Sequence, residues 1–345
     1  MPLRAAVREI KEKRFAPVYL LYGTESFLME EFIAFARNAM IAPDYADLNV
    51  SVYDCQETQL AAILQDAETF PFLADQRVVI AQNAFFLTGA KPPTKVEVEP
   101  EALLHYLDEP PTYTSLFITV DADKLDERKK LVKTLQQKAV TIPFQPLRDT
   151  ELYAWIERRA QKYKRVIKRD EAILLVEYAG SNLRLLDKEI EKMSLYVNEE
   201  EGIIHRDVIR MLASRTLEQD VFALIEAVVS GTLSEAFRIL YDMTKMGEEP
   251  IKLLALFARQ IRMLLHVKTW APRGYSQQQL ATMLKVHPFA IKKAMEQSKH
   301  FEEEGLRRLL HQLAEEDYRM KSGQVNKQLA IELFITRVAQ EKKNP

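Results

Sequence analysis

Five short strand-like runs fall within the first 146 residues, with helix-like segments between them, and no further strand of any length is read beyond them. No other feature narrows the architecture as much. Val18-Tyr19-Leu20-Leu21-Tyr22 reads as a fully buried strand that stops at Gly23. Asn49 to Tyr53 alternates like a second strand, and Arg77 to Ala81, Leu116 to Val120 and Thr141 to Pro143 supply three more. Leu3, Val7 and Ile10 share one face of a short predicted helix. Thr24-Glu25-Ser26 reads as the cap of a helix reaching about Met40. Leu60 to Glu68, Glu101 to Leu107 and Asp126 to Lys138 are the other predicted helices. The segment KPPTKVEVEP, Lys91 to Pro100, reads as a loop. Strands joined through helices require right-handed crossovers and a mainly parallel sheet covered on both faces.

Beyond Gln145-Pro146 the pattern is helical. Leu152 to Lys164, Asp170 to Ala179, Asn182 to Tyr196 and Arg206 to Leu212 form a predicted small helical domain, with a stop and a new cap at Ala179-Gly180-Ser181-Asn182. Three apolar stripes follow: Leu217, Val221, Leu224, Ile225 and Val228; Ile251, Leu254, Ala255, Ala258, Ile261 and Leu265; and Leu306, Leu309, Leu310 and Leu313. Gly231, Gly247 and Gly274 punctuate them, and no fixed-period repeat is present. The predicted layout is α/β plus all-α, divided into 1–146, 147–215 and 216–345.

A net charge of -2 excludes a bulk polycation, so any contact with nucleic acid must be local or shared with other subunits. The single cysteine, Cys55, permits no internal disulfide, fits a reducing cytoplasm and reads as a small buried hydrophobe. The opening MPLRAAVREIKEKRF is charged on nearly every turn and reads as neither signal peptide nor membrane span.

The turn after the first strand is where a phosphate loop would sit. Gly23-Thr24-Glu25-Ser26-Phe27-Leu28-Met29 has neither the second glycine nor the lysine of such a loop. Glu25 puts negative charge at the helix start, and Phe27 is bulky where main chain should approach an anion. Nucleoside triphosphate binding is therefore not expected. Asp121-Ala122-Asp123 is placed like a magnesium-holding motif but lacks a phosphate cradle beside it, and reads as loop and cap carboxylates. His105, His205 and His311 show no paired metal-ligand spacing, and neither G-x-S-x-G nor H-E-x-x-H occurs. No catalytic site, metal or cofactor is expected. Glu302-Glu303-Glu304 and Glu315-Glu316-Asp317 read as solvated helix faces. The basic run from Arg158-Arg159 through Lys162, Lys164, Arg165, Lys168 and Arg169 reads either as solvated surface or as a patch for phosphate or an acidic neighbour.

One short stretch stands apart. Phe70-Pro71-Phe72-Leu73 falls between a predicted helix, which Pro71 would end, and the third strand. An apolar pair at such a junction either caps the core or awaits a partner.

The segments VYLLYGTESFLMEE, FPFLADQRVVI, LFITVD, AGSNLRLLDKEIEKMSLY and LAEEDYRMKSG together resemble the delta subunit of the bacterial DNA polymerase III clamp loader, over nearly the whole chain. The resemblance implies an AAA+-like domain without nucleotide binding, a helical lid domain and a helical collar domain. It implies a non-catalytic part of the holoenzyme that binds the sliding clamp and helps open it for loading onto primed DNA. Clamp contact would fall to Phe72 and Leu73, with Phe70 alongside. The collar would join the motor subunits (gamma/tau) and delta-prime in a ring, with no membrane involved. Tyr318 would meet the primer end of DNA, and Phe289 would be a second aromatic there, a phenylalanine where the family's pattern has tryptophan. Two other readings stay open: an active P-loop ATPase, disfavoured by the missing glycine and lysine, and a helical DNA-binding adaptor, disfavoured by the near-zero net charge.

Overall fold

The computed structural model describes residues 2–90, 96, 98–198 and 202–341. The predicted 91–100 loop falls largely outside the described residues. The chain divides into two compact units, 1–146 and 147–345.

The first unit runs α1 (Pro2–Lys11), β1 (Val18–Tyr22), α2 (Ser26–Met40), α3 (Ala46–Asn49), β2 (Val50–Asp54), α4 (Leu60–Ala67), β3 (Arg77–Gln82), α5 (Pro100–Tyr106), β4 (Thr114–Val120), α6 (Lys130–Lys138) and β5 (Val140–Pro143). All five strands are parallel, in the order β2-β3-β4-β1-β5, so β4 lies between β3 and β1. The central strands alternate faces, as a period of two dictates. Val18 and Leu20, Val79 and Ala81, and Leu116 and Ile118 join one apolar core with α4, α5 and α6. Tyr19 and Leu21, Val78 and Ile80, and Phe117 join the other with α1 and α2. Tyr19 stacks on Phe117 at 4.6 Å between ring centroids, which fixes the β1/β4 pairing from the side-chain layer. Edge strand β2 is only half-buried.

Two helix ends differ from expectation. α4 stops at Ala67, four residues before Pro71: the Thr69 hydroxyl donates back to the Gln65 carbonyl (3.2 Å) and the chain turns there. Pro71 therefore lies beyond the helix and does not end it. α6 begins at Lys130 instead of Asp126, because Asp126 Oδ1 accepts the Arg128 N–H (3.2 Å) in a side-chain turn.

The second unit holds α7 (Asp149–Lys162), α8 (Arg169–Ala179), α9 (Leu183–Tyr196), α10 (Arg206–Leu212), α11 (Leu217–Val229), α12 (Leu233–Lys245), α13 (Pro250–Trp270), α14 (Gln277–Leu284), α15 (Pro288–Ser298), α16 (Glu303–Lys321) and α17 (Lys327–Glu341). Among its described residues the only β pairing is an isolated bridge, Val166 to Ile203. Asn182 caps α9 by accepting the Leu185 N–H (3.1 Å). One apolar core extends from Val221 to Val338. The buried face of α13 is wider than the expected stripe: Leu254 and Ile261 are buried as expected, Leu253, Phe257, Gln260, Leu264 and Val267 are buried beside them, and Ala255 is exposed. Gln260 is tolerated there because its amide donates to Gln297 Oε1 (3.0 Å), while Gln297 donates to the Phe222 carbonyl (2.9 Å).

The basic run is in part a set of struts. Arg159 on α7 forks onto Asp187 of α9, and the Tyr163 hydroxyl donates to the same carboxylate (3.0 Å). Burial alone would raise the Asp187 pKa, but the Arg159 hydrogen bond and charge outweigh it and hold the group below the usual range. Arg165 donates to the carbonyls of Ser194 (3.2 Å) and Val197 (3.0 Å). In the acidic run, Glu316 is buried instead of solvated, paired with Arg319 (3.1 Å) and with Arg337 of α17 (3.0 Å).

Candidate functional site

Because the sheet is parallel, the chain before β3 lies at the amino ends of the strands. Here Phe70, Phe72 and Leu73 are 75, 59 and 70% exposed, a cluster of apolar side chains facing solvent. They do not cap the core. The backbone beneath them is nevertheless fixed. Asn49, the last residue of α3, is fully buried. Its Nδ2 donates to the Phe72 carbonyl (2.8 Å) and to the Tyr45 carbonyl (3.0 Å), while its Oδ1 accepts the Phe72 N–H (2.6 Å). Leu73 follows with φ of +54°, a left-handed conformation rare for a leucine.

Two further side chains brace the loop. Arg77, at the start of β3, is buried. Its Nε donates to the Asp66 carbonyl (3.0 Å), Nη1 to the Leu48 carbonyl (3.3 Å) and Nη2 to Ser51 Oγ (3.2 Å), and it pairs with the Asp66 carboxylate. This guanidinium joins the end of α4 to the start of β2. Tyr113, just before β4, stacks on the Phe70 ring at 4.5 Å and donates its hydroxyl to the Glu68 carbonyl (2.8 Å). Sequence reasoning singled out the three apolar residues and missed Asn49, Arg77 and Tyr113. Their partners around the loop, Phe72, Asp66 and Glu68, lie 11 to 45 residues away in sequence, beyond any local pattern.

At the carboxyl end of β1 the turn packs tightly against the chain after β5. Gly23 has φ of +137°, and a Cβ there would sit 1.9 Å from the Phe144 carbonyl oxygen. The Gly23 N–H donates to the Val120 carbonyl (3.1 Å), the Glu25 N–H to the Phe144 carbonyl (3.1 Å) and the Phe144 N–H to the Tyr22 carbonyl (2.7 Å). Two main-chain donors of the turn, at Gly23 and Glu25, are thus engaged by the chain itself. Asp123 Oδ1 accepts from the Thr24 hydroxyl (3.5 Å) and its carbonyl from Gln145 (3.2 Å). Cys55 is buried beside this edge, and burial, aided by the Asp54 charge, pushes its thiol up to about 12. Among the described residues no group of three His, Cys, Asp or Glu could hold a metal ion, and no helix is long and apolar enough to cross a membrane.

The two aromatics of the second unit part company. Tyr318 on α16 is 67% exposed beside His311, Ala314 and Arg319. Phe289 is 5% exposed, so the expectation of a DNA-stacking ring does not fit its placement. Its ring packs at the start of α15 with Lys293 Nζ 5.3 Å from the centroid, beside a cavity of about 570 Å³ lined by α11, α13 and α15. Proline at the first position of α15, and a His287 Nδ1 that accepts the Phe289 N–H (3.1 Å), set this helix start.

Comparison with known proteins gives a consistent result. The family described as DNA polymerase III, delta subunit matches residues 19–145, and the DNA polymerase III delta subunit, C-terminal domain matches residues 218–338. The DNA polymerase III subunit delta of Bacillus subtilis (strain 168) is 39% identical over 340 residues, covering 98% of this chain and 98% of that protein. The solved structure of the Bacillus subtilis DNA clamp loader delta protein superposes with a TM-score of 0.80 at 38% identity, covering 98% of this chain and 99% of that one.

Proposed function

The chain belongs to the DNA polymerase III delta-subunit family, and on that premise we propose that it binds the sliding clamp through Phe70, Phe72 and Leu73 and helps open it for loading onto primed DNA. The observation that carries this reading is the pairing of exposed apolar side chains with a backbone hydrogen-bonded beneath them. A rigid apolar wedge that fits a pocket better when the ring interface is distorted shifts the ring toward its open form by its differential affinity. No hydrolysis in this chain is required. The self-occupied turn at Gly23 supports the view that it neither binds nor hydrolyses ATP and is no enzyme by itself.

ATP would instead act in the motor subunits (gamma/tau), with which this chain and delta-prime would form a ring in the cytoplasm. Residues 216–345 would be the collar that joins that ring, and 147–215 a lid. Exposed Leu233, Phe237 and Tyr241, four residues apart on α12, offer apolar surface for such contacts. Tyr318 would stack on a base near the primer end, worth roughly 1–3 kcal/mol per base. Tyr318→Ala should then weaken primed-DNA binding by the reassembled loader and leave the melting temperature unchanged; unaltered DNA affinity would remove that role.

Capture of purified clamp by the isolated chain, with and without ATP, tests the central reading. Equal capture in both conditions is expected, together with no micromolar heat on titration with Mg-ATP. Failure to hold the clamp, or dependence on ATP, would overturn it.

A further inference from the structure

We propose that Asn49 is a positioning residue for the clamp-contact element: its buried carboxamide fixes the Phe72 main chain and thereby sets where Phe72 and Leu73 point. The inference rests on the clamp-binding reading above. A carboxamide carries one acceptor and a two-proton donor in a single plane. That plane matches the carbonyl and N–H of one residue, much as a neighbouring strand would. Asn49 uses it so, with both main-chain groups of Phe72 engaged at 2.8 and 2.6 Å.

The alternative is that Asn49 only closes α3. Its bond to the Tyr45 carbonyl, four residues back, suffices for that purpose. The two bonds to Phe72 serve no helix or strand, because Phe72 belongs to neither. They act on the residue at the centre of the apolar cluster. They also stand immediately before Leu73, whose left-handed φ is unfavourable for a leucine and persists only where neighbouring contacts over-determine it. A loop already ordered before contact loses less freedom on binding, so the latch raises affinity without touching the partner.

The experiment measures clamp affinity, melting temperature and amide hydrogen exchange for Asn49→Ala. It does so in the parent chain and in Phe72→Ala/Leu73→Ala. Two part-buried main-chain groups lose their partner, so clamp affinity should fall about tenfold to a hundredfold in the parent background. The Phe72 and Leu73 amides should exchange faster while those of Val79 and Ile80 in β3 keep their rates. In the Phe72→Ala/Leu73→Ala background, Asn49→Ala should add nothing further. Parent-like affinity in Asn49→Ala, an equal loss in both backgrounds, or faster exchange throughout β3 would each overturn the proposal. If Asn49→Ala does not fold, Asn49→Asp decides by the same criteria. It keeps the acceptor for the Phe72 N–H and loses the donation to the carbonyl. Should Phe72→Ala/Leu73→Ala itself hold the clamp like the parent, the clamp reading falls and this proposal with it. Unchanged affinity in Asn49→Ala alone removes only the proposal.

Discussion

At the carboxyl end of β1 the chain turns its main-chain donors inward, whereas before the amino end of β3 it turns apolar side chains outward. The Gly23 turn is bonded to Val120 and Phe144 through the N–H groups of Gly23 and Glu25. The loop that carries Phe72 has its main chain satisfied by Asn49, yet its side chains remain in water. Open α/β sheets commonly meet ligands at the carboxyl ends of their strands, where loops and helix N-termini supply polar groups. Here the Gly23 and Glu25 N–H groups are already engaged, and the proposed docking surface lies at the opposite end. The contrast teaches that a sheet can lose one recognition edge and work through the other, provided the second edge is built from side chains.

The sharpest way to break this contrast is Phe72→Ala/Leu73→Ala. Buried interface anchors cost about 2 kcal/mol each on truncation, so clamp affinity should fall by about a thousandfold. Since both side chains are exposed in the free chain, the melting temperature should stay near the parent value. An unfolded variant, or one with undiminished clamp affinity, would erase the distinction between the two edges.

Gly23→Ala probes the closed edge. Its methyl would collide with the Phe144 carbonyl at a φ that alanine rarely adopts, so stability should drop by about 3 kcal/mol or more in denaturant titration. The molecules that remain folded should bind the clamp like the parent. Tolerance of the methyl would mean the edge is looser than its hydrogen bonds indicate.

Tyr113→Phe removes one hydroxyl bond to the Glu68 carbonyl and keeps the ring against Phe70. A loss of about 1 kcal/mol is expected, read as a small shift in melting temperature with less than about tenfold change in clamp affinity. A larger loss of affinity would move the main support of the loop from Asn49 to Tyr113.

The smallest effect concerns Cys55. A thiol raised to about 12 stays protonated at pH 8, so a thiolate-seeking disulfide reagent should label the native chain far more slowly than the urea-unfolded one. Rapid native labelling would show that the closed edge opens.

The central strands β1, β3 and β4 were legible in the sequence as apolar runs buried on both faces, and the half-buried edge strand β2 by its alternation. Phe72 and Leu73 were legible as apolar residues beside a proline at a helix–strand junction. What held them was not, because Asn49 meets Phe72 across 23 residues and carries no pattern of its own. The wider buried face of α13 has a similar cause. Ala255 and Ala258 fit an apolar stripe by type, while the inward position of Gln260 depends on an amide partner 37 residues away. Phe289 misled for another reason: an aromatic near a helix start reads alike whether it faces solvent or the core, and only the packing of α15 against α11 and α13 decides. Arg159 and Arg165 read as surface charge, yet each satisfies acceptors on or just after α9, a helix whose approach local sequence does not encode.

The carbonyl of Phe144 against Gly23 also bears on reversibility. A designer seeking to install nucleotide binding could write a second glycine and a lysine into the turn after β1. The obstacle would remain, since it is main chain contributed from 121 residues further along, at the end of β5. Two distant segments would have to change together, and each change alone would break hydrogen bonds without creating a site. Substitutions confined to the turn after β1 would therefore leave the Phe144 carbonyl in the way.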